Sequence, residues 1–386
     1  MLTQLRILKN LNDNPLTAKL LAYYDEPSDG RANAFLAELY ERGGENSLLK
    51  TLSDIVLYDE NPFSRAAAEG KSNRYLKSAF IEDVKTLLNA AAKTENFNAD
   101  AYFNMGEVNE HFRTSLQESA NRLEGFYRQY GYGDYVRYGA FLFKNGNIEP
   151  IANAPEIRLS DLKDYAEEKS LIAANIENLL GGLPALDMLL YGERGTGKSS
   201  TVHAMANRYF GRGLRIVELH KEQLLSLPVL KEKLNAVPLK FIIYIDDLSL
   251  TEGDERFTSL KAALEGSFGV KGKNTVVCAT SNRRHIVKES FSDRKDSIHE
   301  NECMQEQLSL SDRFGLTVLF GTTDKKQYLS IVKQLAEDAS ISAAEEDLFR
   351  MAEQWALAKG GRSPRRARQF IDALYSAEQR GKPLEF

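Results

Sequence analysis

Apolar residues recur at three- and four-residue spacing over 32–42, 76–93 and 108–130, so the first 140 residues are predicted to be mostly helical. The segment Glu41-Arg42-Gly43-Gly44-Glu45 reads as a helix end. After Gly131-Tyr132-Gly133 the pattern changes to an aromatic run over 135–143, a short strand or a packed loop. Residues 144–150 form a turn-rich break, which places a domain boundary near 145–158. A polar-faced helix is expected over 159–180. From Ala185 short β-rich runs, at 185–191, 215–220, 241–245, 275–279 and 316–320, alternate with helical stretches. That alternation predicts α/β architecture, with a parallel five-stranded sheet covered on both faces. Beyond Thr322 the pattern is helical at 325–339, 343–359 and 364–379. The expected division is a mostly α-helical N-terminal domain over 1–150, an α/β domain over 151–322 and a small helical domain over 323–386.

Composition narrows the function classes. A chain of 386 residues is long enough for two or three domains and a large core, without disulfide or metal staples. Its two cysteines, Cys278 and Cys303, exclude a disulfide framework and a four-cysteine zinc site. Fifty basic against 55 acidic residues give a net charge of −5, which argues against a strongly basic nucleic-acid binder. No apolar run approaches membrane-spanning length, and the first residues lack a signal-peptide pattern. A cytoplasmic protein is the expectation. Tyrosine is uneven, with eleven of 17 before residue 140. Tyr127, Tyr130, Tyr132, Tyr135 and Tyr138 are read as core packing in preference to a base-stacking or peptide-gripping surface.

Gly192-Glu193-Arg194-Gly195-Thr196-Gly197-Lys198-Ser199 matches the P-loop pattern in full, with Ser200 opening a helix-compatible stretch. Glycines let the backbone wrap phosphates and turn its N–H groups inward. The following helix offers its positive end to the anion. Lys198 would reach the β- and γ-phosphates of ATP, and the Ser199 hydroxyl would coordinate Mg2+. The second half of such a site is an acid at the end of a buried strand. Phe241-Ile242-Ile243-Tyr244-Ile245-Asp246-Asp247 supplies it: Asp246 to hold magnesium, directly or through water, and Asp247 to orient the attacking water.

These residues resemble the AAA+ branch of P-loop ATPases. The stretch 185–375 is similar in particular to the bacterial AAA+ ATPases of domain-of-unknown-function family 815. The resemblance rests on the P-loop, on Asp246-Asp247-Leu248-Ser249, on Ala279-Thr280-Ser281-Asn282-Arg283-Arg284-His285, and on Leu308-Ser309-Leu310-Ser311-Asp312-Arg313-Phe314-Gly315. It implies an AAA+ P-loop NTPase core with a C-terminal helical lid. It implies that Asn282 is sensor 1, bonding γ-phosphate and lytic water; the residues alone also allow a helix cap. It implies that Arg313 is an arginine finger acting on a neighbouring subunit's site; a salt bridge with Asp312 or another acid is the other reading. Arg365, one residue after Pro364, fits sensor 2, with Arg362, Arg366 and Arg368 as competitors. Many AAA+ enzymes carry Asp-Glu where this chain has Asp246-Asp247. The shorter aspartate would seat the water less well, so slow turnover is expected.

Other signals are weaker. The charged insertion 288–307, with His299 and Cys303, matches no metal-ligand spacing and reads as a solvated flap or subunit contact. Arg283-Arg284-His285 is too short a basic run to make a nucleic-acid site in an acidic chain. Cys278 should be buried and inert. The expectation is an oligomeric ATPase that uses ATP and Mg2+ at a subunit interface to remodel an unidentified protein partner. Two alternatives stand beside it: a nucleotide-gated switch or scaffold with little hydrolysis, and a nucleic-acid-dependent ATPase or loader.

Overall fold

The computed structural model describes residues 4–42, 47–95, 105–251, 255–265, 274–282, 287–288 and 313–384. Contacts divide the chain into two units. The first is Met1–Tyr138 with Gly211–Gly213 and Val237–Leu239, and the second holds the remainder.

The first unit is helical. Its longer helices are Pro15–Asp25, Asp29–Glu41, Leu48–Leu57, Arg74–Ala92 and Leu116–Tyr130. Each begins at an Asn or Ser whose side chain accepts a first-turn N–H: Asn14, Ser28, Ser47, Asn73 and Ser115. The helix expected over 108–130 is therefore shorter. Ser115 caps it, and only a 3-10 turn, Glu110–Phe112, precedes it. Phe35, Phe63, Phe80 and Tyr127 are fully buried in the core. Phe63 and Phe80 stack at 4.5 Å, and the Tyr127 hydroxyl donates to the Leu57 carbonyl at 3.0 Å. Tyr132 is also buried, and Tyr130 and Tyr135 pack against the same core.

The second unit is built on a seven-stranded sheet, two strands more than expected. Its strands are β1 (Ala140–Lys144), β2 (Asn147–Pro150), β3 (Met188–Gly192), β4 (Leu214–Glu218), β5 (Lys240–Ile245), β7 (Thr275–Ser281) and β9 (Leu316–Phe320). Short β6 (Leu250–Thr251) and β8 (Val287–Lys288) pair separately. The order is β2-β1-β4-β5-β7-β3-β9, parallel except for the β1–β2 hairpin. One additional strand, β1, comes from the end of the aromatic run, and the other, β2, from the turn-rich break. Asn145 and Gly146 take φ of 50° and 80°, which is hairpin-turn geometry, so 144–150 reverses the chain instead of linking domains. The division between units accordingly falls after Tyr138, not at 150. The aromatic run is split for the same reason: Asp134–Arg137 is a helical turn, and only Ala140–Lys144 is extended.

The helix expected over 159–180 runs from Ala166 to Leu180. Asp164 and Tyr165 before it hold φ of 71° and 57°, which the helix interior does not allow. Three helices, Lys325–Asp338, Glu345–Ala358 and Pro364–Arg380, close around their own core of Tyr328, Trp355 and Phe370. Asp324 and Gln327 form a capping box at the first, and Ser363 caps the third with Pro364 in its first turn.

Candidate functional site

Parallel strands all end on the same side of a sheet, and here three neighbours end in chemistry. β3 runs into the P-loop, β7 into Asn282, and β5 into Asp246 and Asp247. β7 lies between the other two, in register so that Tyr191 pairs with Ser281 and Ile245 with Ala279. The sheet order itself therefore brings together three motifs that are far apart in sequence.

Gly192, Gly195 and Gly197 hold φ of 136°, 82° and 94°, values that side chains resist. A Cβ on Gly192 would stand 2.0 Å from the Phe320 carbonyl oxygen on β9. The helix after the loop, Lys198–Tyr209, has no side-chain cap, so its first-turn N–H groups lack a side-chain acceptor. That is an anion cradle at the positive end of a three-turn helix. Lys198 is buried, with its ammonium donating to the Gly192 and Glu193 carbonyls at 2.8 and 2.7 Å. Burial lowers its pKa from the ordinary lysine value, against the pull of Asp246 and Asp247. The Thr196 hydroxyl also donates to Glu193, which ties the loop to itself.

Three hydroxyls converge on Asp246 Oδ1: Ser199 at 2.9 Å, Tyr244 at 2.7 Å and Thr280 at 2.6 Å. Desolvation pulls the carboxyl upward, but these donors outweigh it and hold the pKa below the ordinary aspartate value. Asp246 is therefore a carboxylate at neutral pH. Asp247 sits in the left-handed region at φ 45°, its N–H donating to Thr280 Oγ1 at 3.0 Å. Its carboxylate accepts from Asn282 Nδ2 at 2.6 Å. An ionised carboxylate and a serine hydroxyl are hard oxygen donors of the kind magnesium takes, so the residues present fit that ion.

One cavity of about 830 Å³ is lined by Arg194 through Thr201, Asp246, Asp247, Thr280, Asn282 and Arg365. Arg365 N–H donates to the Gly195 carbonyl at 3.1 Å, which fastens the start of the Pro364–Arg380 helix to the P-loop. Two of its competitors are engaged elsewhere. Arg362 is held by both carboxylate oxygens of Glu353, at 2.9 and 2.6 Å, and Arg366 reaches Gln369. Arg368 lines the cavity too and donates to the Asp161 carbonyl at 3.4 Å. Arg313 is described but is not among the lining residues. Arg283-Arg284-His285, Asp312, and 289–307 of the charged insertion, with Cys303, lie outside the described residues. Cys278 is buried, and burial pushes its thiol pKa well up.

Sequence reasoning missed Tyr244 and Thr280, although both left a signal. Tyr244 is the one hydroxyl in an apolar strand and lies two residues before Asp246, hence on the same face. Thr280 stands in the same motif as Asn282. It also missed that Ile157, Leu162, Tyr165, Lys169, Ile331 and Leu335 line the cavity. The Tyr165 hydroxyl there donates to the Gly321 carbonyl at 2.7 Å. Leu162 and Tyr165 fall in the span read as one helix, but the helix begins only at Ala166. Among the described residues no group of three His, Cys, Asp or Glu side chains is placed to hold a metal, and no helix is long and apolar enough to cross a membrane.

Human replication factor C subunit 4 is 25% identical over 170 residues, 39% of this chain and 45% of the human protein, so the chain spans less than half of that relative. Among solved structures, a Thermotoga maritima RuvB Holliday junction branch migration motor superposes with a TM-score of 0.43 at 14% identity, over 60% of this chain and 69% of that one. A point mutant of the same RuvB gives 0.41 at 15% identity, over 59% and 68%. The family described as "Protein of unknown function (DUF815)" matches residues 136–378, more than half of the chain. With its P-loop, its acidic strand end and its helical lid on one α/β unit, the chain belongs to that family and has the AAA+ P-loop ATPase fold.

Proposed function

We propose that this protein binds ATP with Mg2+ in the cavity between the P-loop and the helical lid, and hydrolyses it in an oligomer to remodel a protein partner. The observation that carries the proposal is convergence: P-loop, Asp246-Asp247, Asn282 and Arg365 line one cavity. In this reading the P-loop N–H groups and the Lys198–Tyr209 helix bind the phosphates, and Lys198 turns from the loop carbonyls to the terminal phosphates. Ser199 and Asp246 would hold magnesium, which when bound neutralises phosphate charge. Ser199 donates its proton to Asp246 and so keeps its oxygen lone pairs for the ion. Asp247 orients water, Asn282 positions Asp247 and the γ-phosphate, and Arg365 carries lid closure to the phosphates. Arg313 acts in trans on a neighbour. The helical unit before residue 139 is the partner-contacting part.

A second reading, a nucleotide-gated switch with little hydrolysis, is favoured by one feature. Asp247 has a short side chain, sits on left-handed backbone and is already engaged by Asn282. Calorimetric ATP binding with and without Mg2+, followed by single-turnover hydrolysis across protein concentrations, separates the two. Binding with turnover that rises with concentration supports the ATPase, and binding with concentration-independent, near-zero turnover supports the switch. Absence of ATP binding overturns both.

A further inference from the structure

The strand that delivers Asp246 is apolar at Phe241, Ile242, Ile243 and Ile245, each fully buried. Tyr244 is buried as deeply, 1% exposed, in the core beneath the P-loop helix. A phenylalanine would fill that space equally well. A buried phenol needs a partner, because an unpaired hydroxyl there keeps its full desolvation penalty. Its partner is Asp246 Oδ1, and the ring is packed edge-on to His203 of the P-loop helix, 5.3 Å between centroids. Thr280 reaches the same oxygen from β7 and also accepts the Asp247 N–H. The P-loop helix, β5 and β7 are thus fastened to one atom. Rotation of the Asp246 carboxylate would break all three bonds together.

We propose that Tyr244 and Thr280 are positioning residues for Asp246, fixing its carboxylate so that the protein favours the magnesium–nucleotide complex over nucleotide alone. The inference rests on the nucleotide–magnesium reading of the cavity. Its physical basis is pre-organisation: an acidic side chain already frozen by hydroxyl donors loses little freedom when an ion arrives. Tyr244 is not among the residues lining the cavity. It therefore acts through Asp246 and not on the nucleotide, and the effect should separate into a metal-dependent part.

The test titrates Mg2+ at fixed ATP and measures binding by calorimetry, beside the metal-free ATP affinity and the thermal midpoint of the ligand-free protein. Tyr244→Phe keeps the ring and removes one donor. It should raise the half-saturating Mg2+ concentration about tenfold, the worth of one charge-assisted bond, while metal-free ATP affinity holds. Thr280 does line the cavity, so for Thr280→Val the readout is the ratio of ATP affinities with and without Mg2+, which should fall as in Tyr244→Phe, and Thr280→Ser, which keeps the hydroxyl, should restore the wild-type titration. Wild-type Mg2+ dependence in both Tyr244→Phe and Thr280→Val, or equal weakening with and without the ion, overturns the proposal. A lowered thermal midpoint with an unmoved titration overturns it too, because that is a purely structural role. Wild-type protein whose ATP binding ignores Mg2+ would overturn the metal reading itself and this inference with it.

Discussion

Asn282 Nδ2 donates to Asp247 Oδ1 at 2.6 Å, across the ends of two adjacent strands. The two residues expected to handle the lytic water are therefore one hydrogen-bonded unit. Residues that act as a unit are not additive. Asp247→Asn and Asn282→Ala should each lower single-turnover ATP hydrolysis by roughly a hundredfold or more, and the double variant should be little worse than either. ATP affinity should largely persist in both, since in this reading most phosphate contacts come from the P-loop N–H groups and Lys198. Multiplying losses in the double variant would show that the two act independently.

Gly192 and Gly197 give a contrast within one loop. Both have positive φ, but a Cβ on Gly192 would meet the Phe320 carbonyl oxygen at 2.0 Å, while one on Gly197 meets nothing within 4 Å. Backbone cannot step aside as a flexible side chain can. Gly192→Ala should therefore cost about 2–4 kcal/mol, combining strain and overpacking, and Gly197→Ala only the strain, about 1–2 kcal/mol. Urea unfolding curves should place the Gly192→Ala midpoint clearly below that of Gly197→Ala. The reverse order would mean that β9 yields at this position.

Much of this arrangement was legible in the sequence, for identifiable reasons. Buried parallel strands announce themselves as short apolar runs, so Phe241–Ile245 and Leu316–Phe320 lie close to the observed strands, and Pro364 marks the start of the last helix. The P-loop and the acidic pair were readable because phosphate and cation chemistry demand particular residues at fixed spacing. The misreadings arose where local signals conflicted. Asn145-Gly146 is a hairpin signal, but β2 after it is short and mostly exposed, so the turn read as a break between domains and not as a hairpin. Spacing could not show that Arg362 is held by Glu353 of the preceding helix. The Tyr244 and Thr280 contacts depend on which strands are neighbours, and sequence order does not state that.

That Glu353–Arg362 pair predicts a pH dependence. Glu353 accepts from Arg362 through both oxygens and lies 3.4 Å from Lys325, and these bonds hold its pKa below the ordinary value of 4.5. A depressed folded-state pKa contributes stability above the unfolded value, and the contribution is lost as pH falls through the folded value. Glu353→Gln should therefore be less stable than wild type at pH 7. The gap should narrow once the pH drops below about 4.5 and close at more acid pH. Thermal unfolding of both proteins from pH 7 to pH 3 checks this, and a gap that stays constant would mean that the charge contributes nothing.

Arg313 directly precedes buried Phe314 and does not line the cavity of its own chain. If it serves a neighbour's site, its loss should leave ATP binding intact and lower turnover about a thousandfold. Wild-type turnover per subunit should climb with protein concentration. The decisive arrangement is a mixture. Arg313→Ala subunits keep Asp247 but offer no finger, and Asp247→Asn subunits keep Arg313 but cannot orient water. Each alone should be nearly inactive. At an interface where the second lends Arg313 to the first, one site is complete, so mixing should restore part of the wild-type rate. Two inactive proteins that stay inactive when mixed, while still co-assembling, would place Arg313 in a structural role within its own subunit.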